Sequence, residues 1–283
     1  MAVPLHRAEL IEIAGPDAIA FAHAQFTSDV AGLALGAWQF SAWLSAQGRA
    51  RSVFVLLRPA HDRLFAWLPL GGAAPIRDAL ARFVLRAKVQ LTVHDDWMLA
   101  LAGAAIGTRP GPRQVIEHES GLVLEQPGAT ARVAWIGPST QSPFDAEASN
   151  LWRLADIAAG LPWLAPAVQD EFVPQALELE RIDAIRFDKG CYPGQEIAAR
   201  LHFRGGSKRS LRRLHLHGGD DAAPGARIRD GDADVGSILY SVRVSALEQE
   251  ALAVLADANV DASRLAVDGA RISSISNVDA ATQ

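Results

Sequence analysis

Along most of the chain, apolar residues either alternate with polar ones or recur every three to four positions, and the two rhythms predict different elements. Leu10 to Ile13 reads as a short strand. Gly15-Pro16-Asp17 then opens a helix, with Asp17 as its cap or first-turn acid, and Ile19, Phe21, Ala22, Gln25 and Phe26 follow at helical spacing. Three strands come next: Trp38 to Leu44, Arg51 to Leu57 and Leu64 to Leu68. The Ala46-Gln47-Gly48 turn and a turn over Pro59 to Asp62 separate them. A helix over Pro75 to Phe83 carries proline in its first turn. Val89, Leu91 and Val93 alternate as a half-buried strand does. Met98 to Ala102, Leu122 to Leu124 and Val133 to Ile136 are further strands. Ser149-Asn150 is placed to cap a helix from Leu151 to Ala159, which Gly160 and Pro162 end. Beyond Gly205-Gly206-Ser207 the rhythm is short strands and turns: Leu214 to Leu216, Ala226 to Ile228, Val235 to Ser241, Ala251 to Leu255 and Arg271 to Ile275. The expectation is an α+β chain: a first antiparallel α+β subdomain over residues 1–95, a second over 96–204, and a small β-barrel over 205–283.

Composition narrows the classes of function. Of the 283 residues 49% are apolar and 21% charged, so a packed core is expected and disorder is not. The net charge of −5 argues against direct, non-specific nucleic-acid binding. One cysteine excludes an intramolecular disulfide, and a metal cluster held by several cysteines of this chain. A free thiol suits a reducing compartment. Residues Met1 to Leu10 hold no apolar run, and nowhere are there the roughly 20 apolar residues of a membrane span. A cytoplasmic protein without a membrane partner is the expectation.

The chemistry concentrates between Asp170 and Arg213. Cys191 follows Lys189 by two residues, Pro193 stands where a turn or helix would start, and Gly194 lets backbone come close to another group. A thiol ahead of a helix N-terminus and near a lysine favours the thiolate, the form that attacks electrophiles. The alternative is a small buried hydrophobe. Glu171, Gln175, Gln195 and Glu196 offer carboxylate and amide groups suited to a ring edge bearing donors and acceptors. Helix capping by Gln195 and Glu196 is the alternative. Arg200, Arg204, Lys208, Arg209, Arg212 and Arg213 form a basic run without an acid between them. It suits an anionic tail, phosphates or simply water. His215 and His217 share a strand face, but a metal site would need more ligands, so no metal is expected.

The segment KGCYPGQE, with EFVPQ before it and AAR-x-x-x-RG after it, closely resembles the signature of the YgfZ folate-binding family. Weaker resemblance reaches Gly15 to Val30, the Trp152 helix through Ile157-Ala158-Ala159-Gly160-Leu161-Pro162, and Asp234-Val235-Gly236-Ser237. The resemblance implies a three-subdomain ring like that of the glycine-cleavage T-protein, with residues 1–95 as a folate-binding subdomain open to completion by later segments. It implies tetrahydrofolate or another folate derivative as cofactor. It also implies an accessory role toward iron–sulfur proteins or their assembly factors, and through them toward tRNA-modifying enzymes. On this reading Cys191 is the working thiol and Lys189 lowers its pKa. Trp152 stacks on the folate as an aromatic wall, with an ordinary core tryptophan as the alternative. Glu171, Gln175, Gly194, Gln195, Glu196 and Arg200 shape the pocket. Two departures matter. Arg7-Ala8-Glu9 stands where the family can carry a second aromatic. Gly48-Arg49-Ala50-Arg51-Ser52-Val53 lacks the acid pair that the T-protein has after its glycine turn. Aminomethyl transfer needs a group to steady a developing cation or move its proton. A folate-dependent aminomethyltransferase is therefore the alternative function rather than the first.

Overall fold

The computed structural model describes residues 2–102, 109–128, 132–140, 142–205, 207–256 and 261–278. The chain order is β1 (Val3–Ala14), α1 (Ala18–Gln25), β2 (Ala37–Leu44), β3 (Ala50–Ala60), β4 (Arg63–Leu68), α2 (Ala73–Ala81), β5 (Gln90–Leu101), β6 (Val115–His118), β7 (Gly121–Gln126), β8 (Arg132–Pro138), α3 (Ala146–Ala158) and α4 (Gln195–Arg204). After these come β9 (Arg209–His217), β10 (Arg227–Asp230), β11 (Ala233–Arg243), β12 (Glu248–Ala256), β13 (Leu265–Val267) and β14 (Ala270–Asn277).

The first eight strands form one curved antiparallel sheet in the order β2-β3-β4-β1-β5-β8-β7-β6. A bridge between Ala37 and Gln114 draws its two ends toward each other. Strand β3 explains why so much of this sheet reads as continuous apolar sequence. Val53, Val55 and Leu57 face the inner core, while Phe54 and Leu56 face α1 and α2 on the outside. The inner core also takes in α3, the segment from Leu161 to Ile185 and the outer face of the barrel through Leu211, Tyr240 and Val254. The last six strands close into a barrel in the order β10-β11-β12-β9-β14-β13, filled by Leu214, Ile238, Ala253, Leu265 and Ile272 among others.

Several boundaries differ from the sequence expectation, each for a non-local reason. Strand β1 begins at Val3, not Leu10, because pairing with β4 and β5 on both sides carries it through the polar positions His6, Arg7 and Glu9. Register shifts at Pro4/His6 and Ala8/Leu10 absorb the irregularity. Strand β5 runs unbroken from Gln90 to Leu101, past residue 95 where two subdomains were expected to part, and the strands on either side share the sheet. Helix α2 starts at Ala73 because Glu9 Oε2 accepts from the Gly72 and Ala73 N–H groups, both at 2.9 Å. Helix α3 is capped by Asp145, which accepts from Ala148 N–H at 2.9 Å, rather than by Ser149-Asn150. Asp17 precedes α1 but makes no cap bond; its carboxylate accepts from Lys88 N–H at 2.7 Å.

One packing feature predicts a pH dependence. His6 of β1 faces α3, with Nδ1 2.8 Å from Ser149 Oγ. Burial and then the Arg153 guanidinium pull its pKa down to about 3. The unfolded chain therefore takes up a proton below pH 6.5 that the folded chain refuses until about pH 3. The His6 contribution is complete above pH 6.5 and falls as pH drops through that window, by about 3 kcal/mol at pH 4.5. Urea denaturation at pH 7 and 4.5 checks this: the loss shrinks in His6→Gln, and an equal loss in both proteins contradicts it.

Candidate functional site

The KGCYPGQE segment lies against the turn between β2 and β3, and two glycines permit the contact. Gly194 has φ +75, and a Cβ there would sit 2.4 Å from Ser45 O and 2.8 Å from Gly48 Cα. Gly48 has φ +72, and a Cβ there would sit 2.9 Å from Ile197 Cβ. Both positions need the left-handed backbone and the missing side chain. Gly194 then serves as the residue before α4, which carries Gln195 and Glu196 in its first turn. Gln195 is half-buried. Glu196 is exposed, with its carboxylate at the positive end of the helix.

The other side of the segment is fastened to the end of α1. Lys189 Nζ donates to the carbonyls of His23 (2.6 Å), Phe26 (2.7 Å) and Ser28 (2.8 Å). Tyr192 Oη donates to Arg186 O at 2.9 Å, and its ring lies 5.2 Å from Lys189 Nζ. Arg186 N–H donates to Thr27 O at 2.9 Å, and Thr27 Oγ1 donates to Ala184 O at 2.6 Å. Burial pulls the Lys189 pKa down to about 8, opposed by the Asp29 carboxylate. Burial, and then Glu180, pushes the Tyr192 phenol up. The three N–H bonds of Lys189 are committed to backbone carbonyls, which makes it an anchor of the segment. Cys191 lies between these anchors with its side chain exposed, not packed as a core hydrophobe.

Around the segment, chain regions distant in sequence converge. Gln175 Nε2 donates to Ala198 O at 2.9 Å, whereas its Oε1 is a buried acceptor without a partner. Glu171 pairs through its carboxylate with Arg227 of β10, and its carbonyl accepts from the Arg49 guanidinium. Asp170 N–H donates to Ala50 O (3.0 Å), and Ala50 N–H donates to Phe172 O (2.8 Å). Asp170, at φ +58, faces Arg51 with Nε–Oδ1 of 3.2 Å. Arg200 is exposed on α4.

Trp152 is only 3% exposed, and the Arg132 guanidinium lies over its ring at 4.3 Å, so one aromatic face is taken. Arg132 is itself held by Asp156 at 2.7 Å and by Trp152 O at 2.8 Å. Of the basic run, Arg213 pairs with Glu250 at 2.8 Å. His215 pairs with the same carboxylate at 2.9 Å, and no group of three metal-binding side chains occurs among the described residues.

Sequence reasoning did not single out His23, Arg49, Asp170 or Arg227. His23 Nδ1 accepts from Ala31 N–H at 3.2 Å, and a Cβ on Gly190 would lie 3.6 Å from its Nε2, so the ring borders the residue before Cys191. Burial and then Lys189 hold its pKa below the ordinary value, against Asp29. Asp170 directly precedes the EFVPQ stretch, but His23, Arg49 and Arg227 stand far from the motif in sequence, and no local pattern connects them to it.

The architecture is that of the aminomethyltransferase T-protein. The crystal structure of glycine cleavage system aminomethyltransferase T from Bartonella henselae matches with a TM-score of 0.69, over 95% of this chain and 85% of that one, at 15% sequence identity. No family model matches. Among curated proteins, the tRNA-modifying protein YgfZ of Cronobacter sakazakii is 32% identical over 244 residues, covering 77% of this chain and 72% of that protein. That of Klebsiella pneumoniae is 31% identical over 71% and 67%. An uncharacterized protein of Haemophilus influenzae is 31% identical over 74% and 71%. The chain belongs to the YgfZ family. No helix among the described residues is long and apolar enough to cross a membrane.

Proposed function

We propose that the chain is an accessory protein that holds a reduced folate beside the docked motif and presents Cys191 to iron–sulfur proteins or their assembly factors, supporting tRNA modification through them. The observation carrying this reading is an exposed thiol on a segment anchored on both sides, by Lys189 at the α1 end and by Gly194 at the β2–β3 turn. Such fixing is expected of a group that must meet a partner in one geometry, not of a loop cysteine.

The residues present fit a folate. Gln175 Oε1 is a buried acceptor left without a protein partner, which costs about 1–3 kcal/mol unless a water or a ligand N–H meets it. A pterin edge carries such donors. Gln175, Gln195 and Glu196 would take the ring edge, Glu171 would orient it through its Arg227 pair, and Arg200 would meet an anionic tail. The Arg132-covered face of Trp152 is not available for stacking. The folate itself would supply a one-carbon or redox-active pterin centre.

The second reading, folate-dependent aminomethyl transfer, gains one observation. A carboxylate does reach the turn that lacks its own, from Asp170, but its pairing with Arg51 favours a structural part over a base. Turnover of an aminomethyl donor with tetrahydrofolate, lost in Asp170→Asn, would establish it. For the first reading, Cys191→Ser is expected to fold normally yet fail to restore iron–sulfur enzyme activity in a bacterium lacking its own family member. Full restoration by Cys191→Ser overturns the thiol's role.

A further inference from the structure

A pocket lies at the other end of the β3–β4 hairpin from the Ser45–Arg49 turn. Strand β3 leaves that turn at Ala50 and ends at Ala60, and β4 starts back at Arg63. Here the inner face of the sheet stops being purely apolar. Ala8 and Leu10 of β1 belong to the inner core, and Glu12, the next residue on that face, stands directly opposite Phe65. The cavity is about 500 Å³, within the range of small-molecule sites.

Its wall is a box of three rings. His94 and Trp97 have centroids 4.7 Å apart, Phe65 and Trp97 5.7 Å, and Phe65 and His94 5.9 Å. Three carboxylates line the cavity with them: Glu12, Glu117 and, just after β6, Glu119. Glu12 Oε2 lies 2.8 Å from His94 Nε2, and Glu117 rises from β6. The chain's own Arg63 shows what this box attracts. Its guanidinium carbon lies 5.6 Å from the centre of the Phe65 ring, and the same group pairs with Glu117. Aromatic faces carry negative potential, and with carboxylates at the rim they favour a cation that sheds water readily. A bare metal ion is poorly served, because the described residues contain no group of three metal-binding side chains.

We propose that the Phe65–His94–Trp97 box, closed by Glu12 and Glu117, is a binding site for a small organic ammonium ion, its alkyl groups against the rings and its charge answered by the carboxylates. Arg63 occupies part of the box and a ligand competes with it. The site is separate from the Cys191 segment, and its test does not depend on folate binding.

The experiment titrates tetramethylammonium chloride into the full chain, followed by calorimetry and tryptophan fluorescence, with ionic strength held constant by sodium chloride. Saturable one-site binding is expected. Trp97→Leu and Glu12→Gln should each weaken it about tenfold or more, and Arg63→Ala, which removes the competing cation, should tighten it. Circular dichroism verifies folding of each variant, and Glu12→Gln, nearly isosteric, decides the matter should Trp97→Leu not fold. Heat no larger than that of sodium chloride with both native chain and Arg63→Ala overturns the proposal, as does unchanged affinity in folded Glu12→Gln.

Discussion

Replacing Asp156 with alanine is expected to lower the stability of the fold by about 3–5 kcal/mol, because it leaves a buried guanidinium without its counter-charge. The Arg132 and Asp156 side chains are only 8% and 2% exposed, and they meet at 2.7 Å. The second Asp156 oxygen accepts from Trp163 Nε1 at 3.1 Å. Arg132 also donates to Trp152 O and to Pro127 O, at 2.8 and 3.0 Å. This one carboxylate therefore ties β8, α3 and the segment after α3 together inside the core shared with the barrel. Asp156→Asn retains an oxygen for Trp163 but not the charge, so its loss should be intermediate. Urea denaturation at pH 7 measures both; a change below about 0.5 kcal/mol in Asp156→Ala contradicts the reading.

Gly194→Ala is expected to cost about 2–4 kcal/mol and to pull the Cys191 segment away from the sheet. Two effects add. A side chain at φ +75 is strained, and its Cβ would overlap the carbonyl oxygen of Ser45 at 2.4 Å. Gly205→Ala separates them: its φ of +119 is also unfavourable, but nothing lies within 4 Å of the added carbon. The excess cost of Gly194→Ala over Gly205→Ala thus reports the docking contact. Denaturation gives the energies, and faster proteolysis within residues 45–49 gives the displacement. Equal costs with unchanged proteolysis mean that the turn and the motif are not coupled.

The elements legible in the sequence are those whose pattern is set by their own neighbours. The apolar run Val53 to Leu57 marked a strand, which the structure covers on both faces, and β2 to β4 followed with short turns between them. The part of β1 that escaped notice carries His6, Arg7 and Glu9. Glu9 has a partner at the start of α2, more than sixty residues on, and no local rhythm encodes that. The site divides in the same way. A lysine two residues from a cysteine looks like an electrostatic partner, but the three carbonyls that hold Lys189 belong to a helix end over 160 residues earlier. Gly194 was legible as a place of close approach, though not what approaches it. Trp152 has the spacing of both a core and a ligand residue, and it is Arg132, from strand β8, that covers one face of its buried ring.

We propose that the docked motif and the unpartnered Gln175 oxygen form a folate site. The direct measurement is an anaerobic calorimetric titration of tetrahydrofolate into the native chain and into Gln175→Leu. Saturable binding at one site per chain is expected, weakened about tenfold or more in Gln175→Leu while the fold and melting temperature are kept. No saturable heat with the native chain, or the same affinity in both proteins, contradicts it.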